Sequence, residues 1–169
     1  MPGDTVNIEP GCTICTEAIM QGQITVGAGT VIHPRAQILA ESGPIVIGEN
    51  NLIEENCMLI NRQEGGRTMT IGSYNVFEVG CKVECTRVGD HNVVETKAVV
   101  GPFVELSTGC IIGAGCEVQT HEILPDHTVI YGRTCLRRIN QENPAPQNAQ
   151  LDFLRKALPN YHYLMGNKK

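Results

Sequence analysis

The chain has 169 residues, 41% of them hydrophobic, which is room for one domain with a sizeable core. Aromatic residues make up only 4% and Trp is absent, so that core must be built from aliphatic side chains rather than large rings. A net charge of −5 supplies no basic surface for nucleic acid, and no apolar run approaches the roughly 20 residues that cross a bilayer; neither nucleic-acid binding nor membrane insertion is expected.

Met1-Pro2-Gly3-Asp4 has neither the charged nor the apolar region of a secretory signal, and eight cysteines without such a signal point to free thiols in a reducing compartment. The expected location is the cytoplasm.

An internal repeat then decides the architecture. In steps of six, apolar residues stand at Ile8, Ile14, Met20, Val26, Ile32 and Ile38, and after three extra residues at Ile47, Ile53 and Leu59. One unit is skipped over the polar stretch Asn61–Thr70, and the step resumes at Ile71, Phe77 and Val83. One residue is lost before Val88, after which Val94, Val100, Leu106, Ile112, Val118, Leu124 and Ile130 follow. All 20 positions are apolar. Four positions on there usually stands a small or amide residue, such as Cys12, Ala36, Asn51, Asn75, Cys81 or Asn92. This is a hexapeptide repeat: each unit is one short strand and a corner, and three units close a triangular coil. The periodicity predicts an all-β fold, a single-stranded parallel β-helix of about seven coils over residues 1–136, roughly 30–35 Å long. Its left-handed winding is taken from resemblance to hexapeptide-repeat proteins. Ser42-Gly43-Pro44 reads as an insertion at a corner, and Asn61–Thr70 as a polar loop replacing a strand.

Past Leu136 the repeat ends, and residues 137–169 read as an extended linker over Gln141–Gln147 followed by a C-terminal α-helix. Leu151, Leu154 and Leu158 recur at helical spacing, with Phe153 and Ala157 widening the stripe; Asn148 is the expected N-cap and Pro159 the expected stop. So short a helix is marginal alone and must dock, either back on its own prism or on a partner.

Cys12, Cys57, Cys81, Cys110 and Cys116 all take the inward corner position and read as core volume rather than as a metal cluster. Cys12 and Cys15 form a lone CxxC, with Cys12 expected inward and Cys15 outward, which would not share a ligand. The five histidines are dispersed: His33 on an early coil, His91 and His127 two coils apart, His121 on another face, His162 in the tail. No catalytic residue, metal site or cofactor is expected. The outward feature is a threefold Asn-x-apolar-Glu, at Asn51–Glu54, Asn75–Glu78 and Asn92–Glu95. The three asparagines should stack inside as an amide ladder. Glu54, Glu78 and Glu95 should form an outward acidic column at about 4.8 Å spacing, a candidate surface for a basic partner.

The segments Gly43–Gly48, Asn51–Glu55, Asn75–Cys81, Val129–Gly132 and Cys135–Arg138, together with the tail Gln150–Leu154 and Leu158–His162, resemble the dynactin subunit 6 family. That resemblance implies a non-catalytic structural subunit of dynactin's pointed-end complex, supporting dynein-driven microtubule transport and cargo engagement. It implies partners in dynactin subunit 5, actin-related protein 11 and the p62 subunit, and a location on the cytoskeleton, at microtubules and centrosomes. The partner-binding candidates are Glu54, Glu78, Glu95, Leu151, Phe153, Leu154 and Leu158. The alternative is a homotrimeric hexapeptide-repeat enzyme, an acyltransferase or a γ-class carbonic anhydrase. In the latter family two metal-binding histidines lie in a stretch resembling Gly-His-x-x-x-x-His, and the matching stretch here carries Val79 and Glu84 at those places.

Overall fold

The computed structural model describes residues 3–166. Three parallel sheets wrap around a common axis, the β-helix expected from the repeat with the left-handed winding that the resemblance implied, and one short helix lies near the C-terminus. The first face runs Thr5–Ile8, Gln23–Val26, Ile45–Ile47, Met69–Ile71, Arg87–Val88, Val104–Leu106 and Glu122–Leu124. The second runs Thr13–Ile14, Val31–Ile32, Leu52–Ile53, Val76–Phe77, Val93–Val94, Ile111–Ile112 and Thr128–Tyr131. The third has six strands, from Ile19–Gln21 to Glu117–Val118.

The stacking register is that of the repeat. Ile32 pairs with Ile53, Ile53 with Phe77, and Phe77 with Val94, so each inward side chain rests on its equivalent one coil away. Of the 20 repeat positions, 18 are buried, while Ile8 and Met20 in the first coil are half-buried against the same core. Glycines follow the inward residue where the corner is tightest: a Cβ on Gly27 would lie 2.3 Å from the Gly48 carbonyl oxygen one coil on.

Three expectations need correction. Met69–Ile71 pairs directly with Ile45–Ile47, so no strand is missing between Asn61 and Thr70; that stretch is a corner insertion between the third and first faces, containing a short 3-10 turn at Glu64–Gly66. The asparagines do not pair side chain to side chain. Asn51 Oδ1 accepts from the Asn75 backbone N–H (2.9 Å), while its Nδ2 donates to the Gly72 carbonyl (2.8 Å). Asn75 repeats this on Asn92 and Gly89, and Asn92 on Cys110 and Ser107. A backbone group one coil on is the nearer partner, and each amide satisfies two groups that would otherwise be buried unpaired.

Third, the chain does not leave the prism at Leu136. Leu136–Ile139 turns back as an antiparallel strand on Thr128–Tyr131 and closes the C-terminal edge of the second face.

Candidate partner-binding surface

Glu54, Glu78 and Glu95 each follow an inward residue of the second face, and alternation along a strand turns them outward. They stand one above another at the corner between the second and third faces, and all three are half-buried. Burial first, and the charge of Glu78 second, hold the carboxyls of Glu54 and Glu95 above the usual carboxylate range; a bond from the Val79 backbone N–H partly offsets this at Glu54. Glu78 Oε2 accepts from the N–H (3.0 Å) and the hydroxyl (3.2 Å) of Thr96. Among the described residues none of the three has a Lys or Arg within salt-bridge distance, whereas nearby Glu55 is paired with Arg35 at 2.7 Å and Glu84 with Lys82 at 3.1 Å. The column therefore carries like charge that its own surroundings leave uncompensated.

Above Glu54 the same column continues to His33 and Cys15. His33 Nε2 is buried with no hydrogen-bond partner among the described residues. Burial lowers its pKa below the ordinary 6.5, Glu55 opposes that shift, and His162 in the tail adds to it.

The helix spans Asn148–Ala157 and continues as a 3-10 turn over Leu158–Asn160, with Pro159 near its start. Asn148 is the first helical residue rather than the cap, a place taken by Gln147. Leu151 and Leu158 are buried in a cluster with Cys15, Val31, Leu52 and Val76, with Leu154 at its margin. The helix thus lies on the outer side of the second face of its own prism, and these leucines are occupied there. Cys15 does point away from the prism, but the cluster under the helix and tail buries it completely. Arg155 clamps the arrangement through Nη2, which donates to the Gly29 carbonyl (2.6 Å) and to Asn50 Oδ1 (2.8 Å). Phe153 lies off the buried stripe and is 67% exposed. Of the apolar stripe read from the sequence, it is the one residue presented to solvent.

The tail beyond the helix gives a contact that the sequence reading lacks. Thr16 N–H donates to the Tyr163 carbonyl (2.8 Å) and Met165 N–H to the Ile14 carbonyl (2.7 Å), with Cys15 and Leu164 opposed as an antiparallel bridge. The tail thereby caps the N-terminal edge of the second face with a one-residue antiparallel bridge, and Met165 packs against the core beside it. No periodic signal in so short a segment announces this. The hairpin at the other end did carry one: two apolar-rich runs around Gly132, which adopts a positive φ of 77°.

The histidines are spread over the molecule. His91 stacks on Tyr74 with centroids 5.1 Å apart, His121 on Phe103 at 4.2 Å, and His127 Nε2 bonds to Asn143 Oδ1 of the linker (2.8 Å). Among the described residues no three His, Cys, Asp or Glu side chains converge as a metal site. Val79 and Glu84 lie apart, Val79 at an exposed corner and Glu84 on Lys82. All eight cysteines are free thiols, and Cys57 and Cys81 stack inside the prism with sulfurs 3.3 Å apart. No helix among the described residues is long and apolar enough to cross a membrane.

No family-level profile matches the chain. The chain is 50% identical to dynactin subunit 6 of Xenopus tropicalis, over 99% of this chain and 88% of that protein, and 48% identical to dynactin subunit 6 of Nematostella vectensis, over 97% and 94%. Among solved structures it is similar to a putative acetyltransferase of Bacillus cereus, with a TM-score of 0.72 over 90% of this chain and 87% of that one. At 17% identity, that likeness speaks for the shared β-helix alone. With half the residues matched along almost the whole length, helix and tail included, the chain belongs to the dynactin subunit 6 family.

Proposed function

We propose that this chain is a non-catalytic structural subunit of dynactin, built into the pointed-end complex and supporting dynein-driven transport and cargo engagement along microtubules. The observation that carries the proposal is the identity of half the residues over 99% of the chain with a protein named for its place in dynactin. Its partners there would be dynactin subunit 5, actin-related protein 11 and the p62 subunit, and its location the cytoplasm, on the cytoskeleton at microtubules and centrosomes. In this reading the prism, closed by the strand Leu136–Ile139, is a rigid rod, and the linker, helix and tail after it are a clasp held against it.

The physical features agree with a part that is held rather than one that reacts. Eighteen inward positions are sealed in apolar packing, and His91, His121 and His127 are engaged in stacking or in holding the linker. The uncompensated column Glu54–Glu78–Glu95, with exposed Phe153, suits contact with a basic, partly apolar partner surface. Co-expression with dynactin subunit 5, followed by mass measurement, tests the assignment. A one-to-one complex that Glu54→Lys, Glu78→Lys and Glu95→Lys together abolish, with the fold unchanged, is expected. A homotrimer that binds zinc or transfers acyl groups would overturn the role; unchanged assembly of the triple variant would remove the column from it.

A further inference from the structure

The N-terminal end of the prism is a half-filled mouth. On the second face the edge is already occupied by the chain's own tail at Tyr163–Met165. On the first face Thr5–Ile8 is the terminal strand, with one sheet neighbour, Gln23–Val26. Thr5 N–H donates to the Gly22 carbonyl (3.0 Å) and Glu9 N–H to the Val26 carbonyl (2.9 Å), both toward the second coil. In a parallel ladder successive residues turn their backbone groups to opposite sides, so Val6 and Ile8 present N–H and C=O off the end of the prism. Neither has a backbone partner there among the described residues. The side chains around this edge are apolar and incompletely covered: Val6, Ile8, Cys12 and Met20 are all half-buried against the core.

Two further observations say what belongs there. The tail shows the docking mode, an extended segment held by an antiparallel bridge and two backbone bonds that lays one apolar side chain, Met165, over the open core. Charge supplies the rest: the sequence before Arg35 contains Asp4, Glu9 and Glu17 and no Lys or Arg. Glu9 and Glu17 are exposed, and Asp4 accepts from the Gly22 N–H (2.8 Å).

We propose that the edge Thr5–Ile8 binds an extended segment of a partner protein that pairs with it as a further strand, directing apolar side chains over Val6, Ile8 and Met20 and Lys or Arg toward Glu9 and Glu17. The mode is β-augmentation, in which backbone bonds supply affinity and alternate side chains supply specificity. The inference deepens the assembly role proposed above and rests on it.

Hydrogen exchange on the full chain, alone and assembled with co-expressed dynactin subunit 5, actin-related protein 11 and p62, tests it. In the isolated chain the amides of Val6 and Ile8 should exchange rapidly, and in the assembly they should slow by about 100-fold or more. Val6→Pro, which removes the off-end donor and leaves the Asn7 ladder to the second coil in place, should weaken incorporation more than Val6→Ala, which loses the same packing against the core and keeps the donor. Glu9→Lys with Glu17→Lys should weaken it further at low salt than at high salt. Assembly with both amides still exchanging rapidly overturns the site and leaves the assembly role standing. Protection already present in the isolated chain also overturns it, because a second copy or the chain's own terminus then fills the edge. Failure to assemble at all overturns both readings.

Discussion

The second and first faces of the prism are written in the same six-residue repeat, yet the molecule treats them differently. The second is closed at one edge by the hairpin Leu136–Ile139, closed at the other by the tail, and covered along its side by the helix. Among the described residues the first is bare: its terminal strands Thr5–Ile8 and Glu122–Leu124 have no further strand, and Val46 and Ile123 stand exposed along it, the latter at 62%. The repeat specifies what lies inside the coil identically for every face, because the interior is one shared core. What covers the outside depends on where 30 or so residues past the last coil happen to reach. A solenoid so built protects the surface its own tail needs and leaves the others for contact.

The comparison breaks first if the core is not shared. Phe77→Ala on the second face and Leu106→Ala on the first should each cost about 3–5 kcal/mol and unfold the whole prism, because both residues are fully buried in one cluster. Denaturant unfolding followed by two probes, one on each face, should give coincident curves; separate transitions would show the faces to be independent. Asn75→Ala is the next largest. It leaves the Asn92 N–H and the Gly89 carbonyl buried without their partner and should cost about 2–4 kcal/mol in the same measurement.

Leu151→Ala sharpens the contrast. Truncation should release the helix at about 2–3 kcal/mol. Amide exchange should rise in the helix and in the strands Val31–Ile32 and Leu52–Ile53 beneath it, while the first face keeps its protection. The smallest effect belongs to the acidic column. Glu54 and Glu95 have folded-state pKa values raised above 4.5, so the stability they contribute is present below 4.5 and is lost as pH rises through the folded values. Glu54→Gln with Glu95→Gln should therefore flatten the thermal-stability profile above pH 4.5. At neutral pH it should leave the chain equal or slightly more stable, by less than about 1 kcal/mol after solvent screening.

Much of this is legible in the sequence. The inward list from Ile8 to Ile130, the inward Asn column and the outward Glu column follow from a period of six together with alternation along a strand. The loop Asn61–Thr70 was misplaced by one strand, since step counting cannot distinguish a skipped unit from a corner insertion of equal length. Phe153 was assigned to the buried stripe because helical spacing gives the width of a stripe and not its centre. The outward direction of Cys15 was legible, and its burial was not.

The interior is written into the repeat, because close-packed coils in register demand the same apolar character at every sixth place. The tertiary structure decided the exterior. Which face the helix covers, which edge the tail closes, and that the asparagines bond to backbone rather than to one another all depend on contacts between residues more than a hundred positions apart or on neighbouring coils. No local pattern encodes such contacts, and their energies arise only once the prism exists to receive them.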